Sequence, residues 1–180
     1  DKGITGFVDR AGRTWSLHSY TEMATRSTSG QAAIEGAIQR WEDNDYDLVI
    51  VSFHADSCPL CEPWEGKILS ISGRSDQYPA LDEAIAEGLF HPNCGHSLGA
   101  YIPGLTKKPT KEQIGQGDFE ESQQQRKLER DIRKWKKREA VAITDEEKTK
   151  AKSKVREKQS ELREFLSKTD RKRQRDREQI

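Results

Sequence analysis

With 180 residues, of which 32% are apolar and 34% charged, the chain is too polar to close a single core over its whole length; it fits a small domain carrying a charged appendage. The formal net charge of +0 hides an asymmetry. Residues 1–110 hold 9 Lys+Arg against 15 Asp+Glu and residues 111–180 hold 22 against 16, so the two parts carry about −6 and +6. The absence of any apolar run of about 18 residues argues against a membrane-spanning helix. The opening "DKGITGFVDR" lacks the apolar core of a secretory signal, and the missing initial Met suggests a fragment or processed product.

In chain order, "GFVDRAGRTWSL" flanks a turn-forming Asp9–Gly12 with Phe7, Val8, Trp15 and Leu17, the pattern of a short hairpin. Ser19, with Glu22 three residues on, predicts a helix start. Met23, Ala33, Ile34, Ala37, Ile38 and Trp41 then extend an apolar stripe over a helix from about 19 to 43, broken or bent near "STSG". Trp15 and Trp41 are expected in the core. "YDLVIVSFH" reads as a buried central strand, and "GKILSISG" as a second strand. "YPALDEAIAEGLF" predicts a short helix closed by Gly88, and "YIPGLTKKPT" ends the domain. Beyond Lys111 the chain becomes charged: Leu128, Ile132 and Trp135 form a narrow seam on one helix. "TDEE" at residues 144–147 is a capping box opening a second helix, with a seam of Ala151, Val155, Leu162, Phe165 and Leu166. Neither helix has the apolar surface to stand alone, so the two are expected to pair as a hairpin or pack on a partner, with "RKRQRDREQ" frayed.

The chemistry-bearing residues fall in two short stretches. Cys58 and Cys61 lie in "CPLCEPWEGK", and His91, Cys94 and His96 in "FHPNCGHSL", with His54 just upstream of the first. Three cysteines cannot all pair within the chain, and a CxxC turn lets two thiolates converge on one tetrahedral ion, so the pattern points to zinc. Six candidate donors compete for four places. A structural zinc contributes on the order of 10 kcal/mol or more, comparable to the stability of a small domain. The bland reading is thiols and imidazoles satisfied in a core. A thiol redox centre fits less well, because Pro59 and Pro63 bracket a turn between strands rather than a helix N-terminus. Catalysis by Cys94 with His96 or His54, or by an open metal site with Glu62 or Glu65, is a further reading, but the spacing singles out no base and orienting partner. Trp64 and Lys67 are expected to cover the site, and Asn93 to orient the turn.

"VSFHADSCPLCEPWEGKILSISG" followed by "YPALDEAIAEGLFHPNCGHSLGAYIPG" resembles the phage minor capsid protein 2 family, related to the Mu-type head morphogenesis proteins. The likeness rests on His54 after the "VS" strand, a W-[QE]-G-K motif at residues 64–67, and Asn93, Cys94 and His96 followed by Pro103 and Gly104; it spans roughly residues 3–140. Gly95 departs from the pattern, where a basic residue is usual. One family pattern implies the ligand set His54, Cys61, Cys94 and His96; the Mu-type pattern implies Cys58, Cys61, Cys94 and His96. The second is the expected zinc set here, with His54 and His91 as alternates.

The resulting expectation is an α+β fold: a zinc-stapled domain over 1–106 with a short sheet and a long helix, a linker over 107–117, and a charged, coiled-coil-like helical hairpin over 118–180. The resemblance implies a structural or assembly role inside the phage head near the portal, formed in the host cytoplasm and carried in the virion. Expected partners are portal or other capsid proteins, with oligomerisation and no membrane. Arg133, Lys134, Lys136, Lys137, Arg138, Arg171, Lys172 and Arg173 are the candidate contacts to a partner or packaged DNA, where they would neutralise phosphates. The alternative is a metal-dependent nuclease or other toxin-like enzyme using the HPNCGH pocket.

Overall fold

The computed structural model describes residues 6–115 and 117–180. Residues 3–5 of the family resemblance and residue 116 of the expected linker lie outside the described residues. The chain divides into two compact units, residues 1–116 and 117–180.

The first unit begins with the expected hairpin, β1 (Gly6–Val8) antiparallel to β2 (Thr14–Ser16). Asp9 fastens its turn. One carboxylate oxygen accepts the amides of Ala11 and Arg13, each at 2.9 Å, and the other accepts the Trp15 indole N–H at 3.0 Å. Trp15 is therefore not a core residue: its indole serves Asp9, and its ring meets Tyr20 edge-on. Helix α1 (Leu17–Glu42) starts two residues earlier than the Ser19 signal predicts, because Ser16 is the cap, its hydroxyl accepting the Ser19 amide at 3.1 Å. The helix also runs uninterrupted through Ser27–Gly30, where a break or bend is expected from propensity. None of its residues is fully buried; Ile38 and Trp41 lie half-buried against the core.

β3 (Leu48–Val51) is the centre of a three-stranded antiparallel sheet, between β4 (Ile68–Ser70) and β5 (Leu98–Ala100). Val49 pairs with Leu69 on one side and Ala100 on the other. The run Val49–Val51 is buried throughout, as a central strand covered on both faces must be. β5 is not signalled by sequence, since three residues containing a glycine carry no readable alternation. Helix α2 (Leu81–Ala86) adds Leu81 and Ala84 to the core, and Leu89 follows it. Helix α3 (Lys111–Ile114) is a single turn within the segment expected as linker.

The second unit is the helical hairpin, α4 (Phe119–Val141) and α5 (Asp145–Ser167). Thr144 and Glu147 form the reciprocal capping box. Leu128, Ile132 and Leu162 make its core, with Phe165 and Leu166 packed beside it. Trp135 is only half-buried, its ring covered by the Arg138 guanidinium at 4.7 Å. The C-terminal segment is not frayed. It folds back on α4: Gln125 donates to the Lys172 carbonyl at 2.9 Å and accepts from Arg171 Nε at 2.8 Å. Arg173 pairs locally with buried Glu178, while the long-range closure onto Gln125 is what charge composition does not reveal.

Candidate metal centre

The two cysteine-bearing loops meet because β5 pairs with β3. Ser52 N–H donates to the Ser97 carbonyl at 3.0 Å and Ser97 N–H to the Ser52 hydroxyl at 2.9 Å, so the loop leaving β3 and the loop entering β5 start side by side. Within the first loop the amides of Cys61 and Glu62 both donate to the Cys58 carbonyl, at 3.1 and 2.9 Å, which curls the CxxC turn. Pro63 then sits in the first positions of a 3-10 turn over Glu62–Trp64, where its missing N–H costs no hydrogen bond. In the second loop the Cys94 amide donates to the His91 carbonyl at 2.8 Å, and Asn93 adopts a left-handed φ of 70°, which asparagine tolerates.

These turns gather five of the six candidate donors. Cys58, Cys61 and His91 form one group with ligand atoms within 4.8 Å of one another, and Cys61, Cys94 and His96 form a second. Cys61 is shared by both and fully buried. Cys58 Sγ lies 3.0 Å from His91 Nε2, Cys61 Sγ 3.5 Å from Cys94 Sγ, and Cys94 Sγ 3.3 Å from His96 Nδ1. Bonds of ~2.3 Å to sulfur and ~2.0 Å to nitrogen put neighbouring donors of a tetrahedral ion about 3.5–3.8 Å apart, close to this spacing.

His54 stands outside both groups. Its Nε2 is 2.6 Å from the Gly95 carbonyl oxygen, and its ring is tilted against that of His96 at 4.7 Å. Gly95, the departure from the family pattern, lies against the His54 ring: a Cβ there would sit 3.0 Å from His54 Cε1, so a side chain requires the imidazole to shift slightly.

Glu65, weighed in the sequence with Glu62 only within the alternative catalytic reading, has a structural position that the sequence does not reveal. Its side chain is 2% exposed, and one carboxylate oxygen accepts the His54 backbone N–H at 2.6 Å and faces His96 Nε2 at 3.0 Å. With Nε2 held by Glu65, His96 Nδ1 faces Cys94. His91 is arranged alike: Nδ1–H donates to the Pro92 carbonyl at 2.8 Å, leaving Nε2 toward Cys58. Both imidazoles thus turn their second ring nitrogen to the thiols, the orientation that outer hydrogen bonds give to metal-binding histidines. The signal available in sequence was the W-[QE]-G-K motif, since Gln and Glu share an acceptor oxygen. Its glycine has a separate reason: Gly66 has φ +67°, and a Cβ there would lie 2.3 Å from the Phe53 ring. Trp64 packs beside Cys61 in the core with Lys67 Nζ 4.5 Å from its ring, and Asn93 faces α1.

The thiols are electrostatically unequal. Burial pushes the Cys94 thiol up, but the His96 ring and amide outweigh it and bring it down to about 7. Burial raises Cys61, and its neighbour Cys94 adds to the rise. Burial opposes ionisation of Cys58 too, yet the His91 hydrogen bond carries it below the usual thiol range. Both histidines are raised: burial lowers them, and hydrogen bonds to Cys58 for His91 and to Cys94 and Glu65 for His96 more than compensate. Thiols and imidazoles gathered this closely are donor types that suit a divalent cation, which would displace their protons.

The basic candidates lie in the second unit. Arg133, Lys134, Lys136, Lys137 and Arg138 occupy the C-terminal half of α4, with Lys134, Lys137 and Arg138 exposed. Arg171 and Arg173 direct their guanidinium groups to Gln125 and Glu178, while the Lys172 side chain is exposed.

The sequence profile of the phage minor capsid protein 2 family matches residues 1–167. The chain belongs to that family. A curated relative, a "Structural protein" of Lactococcus phage LL-H, is 29% identical over 149 residues, covering 77% of this chain. The chain spans about 40% of the length of that relative. No solved structure matches. Family membership makes this a phage minor capsid protein, a component of the virion. Among the described residues no helix of the capsid chain is long and apolar enough to cross a membrane.

Proposed function

We propose that the chain is a structural and assembly component on the inner side of the phage head near the portal, its first unit stapled by one structural zinc ion. The family match supports the capsid role, and the observation that supports the zinc reading is the meeting of two donor trios, Cys58, Cys61 and His91 with Cys61, Cys94 and His96, on the shared buried Cys61. Cys58, Cys61 and Cys94 supply three ligands. His96 is the fourth, because Glu65 fixes its tautomer and raises its basicity. Zinc supplies a cross-link between the loop after β3 and the loop before β5. Elemental analysis of native protein is expected to find one zinc per chain, retained in His91→Ala and lost in His96→Ala. A metal-free native protein whose Cys94 alkylates readily would overturn the reading and point instead to a thiol nucleophile aligned by His96 and Glu65.

The helical hairpin is the docking element. Its tip exposes Val141 and Ile143, 75% and 95% accessible, beside the cationic end of α4. Apolar side chains so placed favour contact with portal or other capsid proteins over DNA alone, and the interleaved acids of both helices weaken any phosphate grip. Cross-linking within assembled particles tests this: adducts from α4 to a capsid or portal protein support it, and adducts confined to DNA do not.

A further inference from the structure

Helix α1 poses an unusual problem: it runs 26 residues without burying one of them completely. Its second half is held through Ile38 and Trp41 on the core of the sheet unit. Its first half is tied to the loop carrying the candidate ligands. The Asn93 backbone N–H donates to Ser27 Oγ at 3.1 Å, and Arg26 Nη1 donates to Asn93 Oδ1 at 3.3 Å. Asn93 immediately precedes Cys94, and its left-handed backbone is set by the turn that the Cys94-to-His91 hydrogen bond closes.

Between the two halves lie Ser27, Thr28, Ser29 and Gly30, four residues of low helix propensity, which is why the sequence predicts a break there. A helical segment of about ten residues is marginal by itself, so residues 17–26 need an external hold. The β1–β2 hairpin rides on that segment through Tyr20, whose ring meets Phe7 at 5.0 Å and Trp15 at 6.0 Å.

We infer that Ser27–Gly30 is a hinge and that the 91–94 turn is the clasp keeping it straight, so that residues 6–26 are released as a body when the metal leaves. The inference rests on the zinc reading for its trigger, while the clasp and hinge rest on α1 and Asn93 alone. Ligation of Cys94 immobilises the turn that presents the Asn93 amide to Ser27. Loss of the ion frees the turn, the two hydrogen bonds from α1 lapse together, and the helix opens where its own propensity is lowest.

Hydrogen exchange on the full chain tests each part. On chelation, amides of residues 17–26 are expected to exchange about tenfold faster or more and to accelerate well beyond those of β3 and β4, which report only the lower stability of the sheet unit. The double variant Ser27→Ala/Asn93→Gly is expected to show the same acceleration with zinc still bound one per chain. Gly30→Ala, whose added methyl meets nothing within 4 Å, is expected to restore protection after chelation. Unchanged exchange at 17–26 in either the chelated protein or the double variant overturns the proposal, as does loss of β3 protection in step with it. If native protein carries no zinc, the metal reading fails on that count alone, and the double variant still decides the clasp.

Discussion

Glu65 illustrates how a residue weighed as catalytic in one dimension becomes a support in three. Burial pushes its carboxyl up, but hydrogen bonds from His96, the His54 amide and Ser57, with the Lys111 charge, hold it below the usual glutamate range, so it stays an acceptor for the imidazole N–H. Glu65→Gln keeps an acceptor oxygen and removes the charge. Zinc affinity is expected to fall about tenfold, measured by competition with a chromogenic chelator, while the fold persists. Gly66 is the companion case. Any side chain there meets a strained φ and the Phe53 ring together, so Gly66→Ala is expected to destabilise the sheet unit by about 2–4 kcal/mol in urea unfolding. The W-E-G-K residues were legible as a motif, but the reason for its glutamate and glycine lay in partners at residues 54, 96 and 53.

Among the elements, those governed by nearest neighbours were readable. The Thr144 capping box, the buried β3 run and the α4 and α5 seams all depend on residues within a few positions of each other. Apart from the start of α1, where Ser16 rather than Ser19 is the cap, what failed depended on distance. Helix α1 continues through Ser27–Gly30 because residue 93 holds it, and the C-terminal segment is ordered because residues 125 and 129 receive it. Glu129 bears on the hairpin's pH response. Burial raises its carboxyl above the ordinary range, only partly offset by Gln125 and Arg177. A group so raised contributes stability present below its unfolded pKa and lost as pH rises through the folded value. Glu129→Gln retains the side chain's shape and is expected to be neutral or stabilising at pH 7 relative to wild type. That advantage should disappear below about pH 4, where the ordinary glutamate is itself protonated. Thermal melts of both proteins at the two pH values check it.

For the whole molecule, every candidate zinc donor lies in the first unit, and the second has its own apolar core. Chelation is therefore expected to lower the melting temperature of the sheet-bearing unit while the exchange rates of α4 and α5 core amides stay unchanged. Calorimetry with exchange mass spectrometry reads both. A sheet unit that melts at the same temperature with and without chelator would remove the structural role of the ion. On the proposed reading the two units would have separate tasks: the ion would hold the first, and the second exposes Val141 and Ile143 at its tip.

The chain's sequence by itself determined the donor types, the two-residue CxxC spacing, the charge asymmetry, the central strand and the paired C-terminal helices, all carried by local periodicity and chemistry. Tertiary structure alone decided which donors meet, that His54 turns to the Gly95 carbonyl, and that Glu65 backs His96. The physical reason is the β3–β5 pairing, which sets the register between residues 51 and 98. No local preference in a three-residue strand encodes that register, and without it the two loops need not share a single ion.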